Sequence, residues 1–200
     1  FSQSMESEII SMFEKITYAH SMEKSSNVHY YSGWCTNSAY KIKPKIIIPC
    51  HGIYESKYGD WWEVWRAKDK LIQLEKILNY LDSGRNDGDS VAQEWDRYFN
   101  RKGYSGERLH FKFFDVELKK KGTIHIWFND LELLKRWNVF AGMKKNYIPP
   151  EYGRKTYREM SDRGREVVNA IEGKAEYEKT MQNPRVDIGG ATLMALTSGK

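Results

Sequence analysis

Cysteine is scarce in this chain. Only Cys35 and Cys50 occur in 200 residues, so a disulfide framework is excluded. Long apolar runs are missing as well. The apolar runs are only a few residues long, such as Ile46-Ile47-Ile48, against the roughly 18 residues that a membrane span needs. The opening residues Phe1–Met5 lack the apolar stretch of a signal peptide and read as a cloning scar before a native Met. No P-loop, nucleophile elbow or Ser-His-Asp spacing is present. Mean hydropathy is −0.73, and 30% of the residues are charged. Aromatic residues nonetheless make up 14%, too many for a chain that cannot build a core. These features describe a soluble, cytoplasmic chain with no membrane partner. One domain over 6–182 is expected, with 1–5 as scar and 183–200 as a flexible tail.

Negative charge is also short in one place. The net charge is +5, with 32 Lys and Arg against 27 Asp and Glu. Residues 101–160 carry 14 basic and 7 acidic residues, leaving 18 and 20 for everything else. The whole positive excess lies in that segment, the pattern of a phosphate footprint. Lysines that only solvate exposed faces would give the same composition.

Hydropathy patterning places the elements. Ile9, Ile10, Met12, Phe13 and Ile16 predict a helix over 6–20, followed by a polar loop over 21–33. Residues 38–48 read as a strand interrupted at Pro44 and closed by Pro49. Leu71, Leu74, Ile77, Leu78 and Leu81 form one face of a helix over 68–81, stopped by Gly84. A flexible linker over 84–90 and a helix over 91–99 follow. Residues 109–128 predict a β-hairpin that turns at Lys119-Lys120-Lys121-Gly122, with Ile124, Ile126 and Phe128 on one side and His125 on the other. Asn129 and Glu132 suggest a capping box before the next helix, whose buried face is Leu133, Leu134, Trp137 and Phe140. Ser161 is expected to cap a last helix running to Thr180, weakened by Gly164 and Gly173. The fold class is therefore α+β: a small antiparallel sheet with a central hairpin, packed by several helices.

Five groups of residues could carry chemistry. The hairpin tip, Lys119, Lys120 and Lys121, suits phosphate contact, though a solvated turn has the same composition. Lys144, Lys145, Arg154, Lys155 and Arg158 interleave with Tyr147, Tyr152 and Tyr157. Basic groups with aromatics suit a nucleic-acid strand, and the same tyrosines could instead pack the loop; Tyr152 is the stacking candidate. Trp61, Trp62 and Trp65 offer a docking surface or a piece of core, with at least one of them expected to be buried. His29, Cys35, Cys50 and His51 are possible metal ligands on paper, yet they contain no Cys-x-x-Cys or His-x-x-x-His pair. Asp115, Glu117 and Lys119 alternate along one strand and are similar to the Glu-x-Lys of a Mg²⁺-dependent nuclease; a charged solvent face explains them as well.

Three stretches resemble a known family. They are YSGWCTNSAYKIKPKIIIP (31–49), LIQLEKILNYLDSG (71–84) and FFDVELKKKGTIHIWFNDLELLKRWN (113–138). Their type and order resemble DUF4942, a bacterial and phage domain of unknown function, over about 11–152. The resemblance implies context rather than mechanism. Members are encoded in phages, prophages and plasmids, often fused to or beside adenine-specific DNA methyltransferases. It implies no catalytic residues and no cofactor. The chain has no Asp/Asn-Pro-Pro-Tyr/Phe tetrapeptide, and Asp187-Ile188-Gly189-Gly190 has no room after it for a cofactor-binding βαβ unit. The expected function is a non-catalytic DNA-associated accessory or target-recognition domain. Its partners would be duplex DNA and a methyltransferase module in the same or a neighbouring chain. The alternatives are the nuclease just described and a protein-interaction module, such as a phage counter-defence factor.

Overall fold

The computed structural model describes residues 3–17, 37, 40–50, 52–55, 61–62, 64–99, 106–120, 122–182, 187–188 and 191–192. The element order is α1 (Gln3–Ile16), β1 (Lys45–Pro49), β2 (Tyr54–Glu55), β3 (Trp61–Trp62), α2 (Trp65–Ser83) and α3 (Ser90–Phe99). There follow β4 (Leu109–His110), β5 (Phe114–Lys119), β6 (Thr123–Phe128) and α4 (Leu131–Lys144). The C-terminal part holds α5 (Asp162–Ile171), α6 (Lys174–Gln182), β7 (Asp187–Ile188) and β8 (Ala191–Thr192). The fold is α+β. The main sheet is four-stranded and antiparallel, in the order β1-β6-β5-β4, while β2–β3 and β7–β8 are separate two-residue pairs. No helix among the described residues is long and apolar enough to cross a membrane.

Side-chain alternation builds the sheet. In β5, Phe114, Val116 and Leu118 are buried; in β6, Ile124, Ile126 and Phe128 are buried, and the residues between them are half-buried. The register pairs Val116 with Ile126 and Leu118 with Ile124, so the apolar residues of both strands share one face. Gly122 turns the chain with φ 76°, and its N–H donates to the Lys119 carbonyl at 2.9 Å. Three helices cover the apolar face. Ile9, Phe13 and Ile16 come from α1, Leu71, Leu74, Leu78 and Leu81 from α2, and Leu133, Leu134, Trp137 and Ala141 from α4. Each buried leucine, isoleucine or phenylalanine among them contributes about 1.5–3 kcal/mol.

Two buried asparagines secure the approach to β1 and its free edge. Asn138 of α4 accepts from the Ile42 N–H at 2.6 Å and donates to the Ile42 carbonyl at 2.9 Å. Asn37 does the same to Ile47, at 2.9 and 2.8 Å, and also donates to the Ile16 carbonyl. Asn37 thus occupies edge groups of β1 that would otherwise invite another strand.

Several boundaries differ from the sequence-based expectation. The cap of α4 is Asp130, not Asn129. Its carboxylate accepts from the Leu133 N–H at 2.9 Å, while Asn129 turns its amide toward Phe111 and Asp115. The single C-terminal helix is two helices, because Gly173 adopts φ 85° and ends α5. Of the strand expected over 38–48, residues 40–44 are irregular, β1 begins at Lys45 after Pro44, and residues 38–39 lie outside the described residues. The 84–90 segment joins α2 to α3, and Gly84 ends α2 with φ 74° as expected. The loop expected over 21–33 lies outside the described residues.

A buried carboxylate holds α3 against α2. Glu75 is 1% exposed and accepts from the Ser90 hydroxyl and from the Val91 N–H at 3.1 and 3.2 Å. It therefore caps the N-terminus of a neighbouring helix, where backbone donors lack intrahelical partners. Glu75→Ala should destabilise the protein by about 1–3 kcal/mol, since buried donors lose their acceptor. Urea denaturation measures this; an unchanged midpoint would show that the cap contributes nothing.

Candidate nucleic-acid interface

The face of the sheet opposite the helices is polar. Strand alternation puts Lys45, His125, Trp127, Asp115, Glu117 and Lys119 on it, and His110 extends it at β4. Trp127 stands among cations. The Arg108 guanidinium lies 4.0 Å from its ring centroid and the Lys45 ammonium 4.8 Å. The His125 ring is 6.1 Å away. Arg108 also donates to Glu117 at 2.8 and 3.0 Å, and Lys119 closes on the other oxygen of that carboxylate at 2.5 Å. Asp115 is held by His110 at 3.0 Å.

This geometry redistributes the predicted site residues. Asp115, Glu117 and Lys119 do share one side, as their alternation requires. Both carboxylates are already engaged, Glu117 by Arg108 and Lys119 and Asp115 by the His110 ring and the Asn129 amide, which opposes a role as open Mg²⁺ ligands. Among the described residues no three His, Cys, Asp or Glu are grouped to hold a metal. Of the four paper ligands, Cys50 is buried, and His29, Cys35 and His51 lie outside the described residues. At the tip, Lys120 is exposed and Lys121 lies outside the described residues.

The second basic cluster is less open than its sequence suggests. Lys144 pairs with Glu6 at 2.6 Å and Lys145 with Glu14 at 2.5 Å, so both tie α4 to α1. Lys155 pairs with Glu151 at 3.3 Å. Arg154 and Arg158 are exposed and have no side-chain partner among the described residues. Tyr152 does not fit the stacking role. It is 6% exposed, lies against Tyr177 with ring centroids 5.2 Å apart, and donates its hydroxyl to Glu172. Burial, helped by the negative Glu172, raises its phenol well above the ordinary range. Its place is in a second apolar cluster with Val139, Ile148, Met160, Val168 and Tyr177. Of the tryptophans, Trp65 is 56% exposed at the start of α2, with Arg66 over its ring. Trp61 and Trp62 form β3, and their side chains lie outside the described residues.

Sequence reading missed Arg108, Lys45 and Trp127 as members of one surface. The signal was available for Trp127. In Thr123–Phe128 it falls on the polar side of the alternation, where a large aromatic has no core to enter.

Electrostatics on this face depend on pH. Burial holds the His125 imidazole below its usual 6.5, and the charges of Lys119 and Lys45 act in the same direction. The Lys119 hydrogen bond, with Arg108 also contributing, holds the Glu117 carboxyl below its usual 4.5 against the opposing effect of burial. The unfolded chain therefore protonates His125 more readily than the folded one. Stability from neutral His125 is complete above 6.5 and is lost as pH falls below it; the Glu117 contribution persists further and is lost below 4.5. The thermal midpoint should fall between about pH 7 and pH 5, and His125→Asn should reduce that fall. An identical pH profile in the variant would contradict the assignment.

A family model described as domain of unknown function (DUF4942) matches residues 2–147. No curated protein and no solved structure matches the chain. The matched span runs from α1 through α4 and contains the whole four-stranded sheet, so the polar face belongs to the matched module and Arg154, Lys155 and Arg158 lie beyond it. The chain belongs to the DUF4942 family.

Proposed function

We propose that this chain is a non-catalytic DNA-associated domain that positions DNA through phosphate contacts. It would work beside a DNA methyltransferase module in a mobile element, the setting that its family resemblance implies. One observation carries the reading: Lys45 and Arg108 flank Trp127 on the polar sheet face, and Arg108 shares the Glu117 carboxylate with Lys119, next to the lysine tip. Cations around an aromatic on an open sheet suit a phosphate backbone with a stacking surface beside it. The pairs that engage these cations do not block the role. Exposed ion pairs are worth about 0–1 kcal/mol, so Arg108 and Lys119 can exchange a carboxylate for a phosphate at little cost.

A protein-interaction module is the second reading, supported by the exposed Trp65 and its Arg66 neighbour, residue types enriched in interface hot spots.

Fluorescence anisotropy on a labelled duplex, titrated with salt, tests the DNA reading. Affinity should fall linearly on a log–log plot, by about 0.9 in slope for each phosphate contacted. Replacing Lys119, Lys120 and Lys121 together by alanine should weaken binding and flatten that slope. No binding at low salt, or a slope indifferent to the substitutions, overturns it.

A further inference from the structure

Where the family match ends, the chain turns back and a cleft of about 420 Å³ opens between that turn, the segment before β1, and α5. Its volume is in the range of small-ligand sites. Tyr40 stands at the mouth, 63% exposed, one of the few large aromatic side chains so open among the described residues. It is not loose. Its ring meets Tyr147 edge-on at 5.2 Å, and Tyr147 leans on the core ring of Phe13 at 6.3 Å.

The backbone behind Tyr147 is equally fixed. Asn146 ends α4 in the left-handed region with φ 58°, and the N–H groups of Tyr147 and Ile148 both donate to the Gly142 carbonyl, at 2.8 and 3.2 Å. A side chain at Gly142 would come within 2.8 Å of Ile148, so the glycine is what lets Ile148 seat as the floor. An exposed aromatic braced in this way is a preorganised stacking surface.

Polar groups ring the cleft. Arg163, in the first turn of α5, is exposed and has no partner among the described residues. Lys41 reaches the last turn of the same helix and donates to the Ala170 carbonyl. The two cations thus mark opposite ends of α5, roughly 10 Å apart at 1.5 Å per residue. Glu166 lies between them, also unpaired among the described residues, and Asn146 adds an amide. A flat aromatic surface, an uncommitted guanidinium, a carboxylate acceptor and an amide are the groups that recognise a base, a phosphate and sugar hydroxyls.

We propose that this cleft binds one nucleoside phosphate unit, with its base against Tyr40 and its phosphate on Arg163. The unit could be a free nucleotide or a single unstacked nucleotide of a strand, since the chemistry recognised is the same. The site does not depend on the polar sheet face, and it stands if that face binds no DNA.

Calorimetric titration of the full chain tests it, with each deoxynucleoside 5′-monophosphate, a short single-stranded oligodeoxynucleotide, the unphosphorylated nucleosides and ribose 5-phosphate. At least one nucleotide or the oligonucleotide should bind saturably, and at least tenfold more tightly than nucleoside or ribose 5-phosphate. Binding of monophosphates identifies the free ligand; binding of the oligonucleotide alone identifies a strand. Tyr40→Ala and Arg163→Ala should each weaken binding at least tenfold. Both positions are exposed, and an unchanged thermal midpoint will show that the variants fold. The Lys119, Lys120 and Lys121 alanine variant should retain monophosphate binding, which separates this site from the sheet face. Absence of saturable binding, equal affinity for ribose 5-phosphate, or indifference to both substitutions overturns the proposal.

Discussion

The alternation of β5 and β6 is the constraint on which the rest depends. Each residue of Phe114–Lys119 and Thr123–Phe128 points to one of two environments, and a slip of one residue would exchange them. The paired apolar rows Phe114, Val116, Leu118 and Ile124, Ile126, Phe128 can be buried only against helices, and α1, α2 and α4 supply the matching faces. Once that side is covered, Trp127, His125, Glu117 and Lys119 have nowhere to go but the opposite face. The polar surface thus follows from the core register: one fixes the other.

Polar contacts then fix what apolar packing leaves free. Asn138 and Asn37 pair with single backbone residues as a strand would, and Glu75 serves as the cap of α3. A similar node joins the C-terminal helices to the matched module. Glu172, with its side chain 2% exposed, receives Lys135 of α4, the Tyr152 hydroxyl and Thr180. Breaking a buried ion pair of this kind typically costs about 3–5 kcal/mol. Helix α4 therefore serves two apolar clusters, one through Leu133, Leu134 and Trp137 and the other through Val139. The cleft beside Tyr40 exists because the second cluster places α5 against the turn that ends α4.

Much of the fold was legible because its signals are local. The hairpin, the α2 stripe, the Gly84 stop and the Ser161 cap each need only a few neighbouring residues. The errors came where two local solutions compete. Asn129 and Asp130 can both cap a helix, and only the demands of Phe111 and Asp115 on Asn129 decide between them. Gly173 could weaken a helix or break it, and the φ it adopts is a tertiary outcome. The candidate site was less legible for a different reason. Charge composition counts lysines but not their partners: Lys144 and Lys145 are committed to Glu6 and Glu14, more than 130 positions away in the chain. Tyr152 lies in a basic loop and yet enters a core that α4, α5 and α6 form together. Arg108, just before β4, and Lys45 of β1 both meet Trp127 of β6, a grouping across the four-stranded sheet that no window of sequence spans.

On the proposed reading, the polar sheet face, and not the helical side, meets DNA. Amide chemical-shift mapping of the ¹⁵N-labelled chain with a short duplex tests it most directly. Perturbations should cluster on Lys45, Arg108, Glu117, Lys119, His125 and Trp127. Perturbations confined to the exposed faces of α2 and α3, with that cluster unmoved, would contradict it.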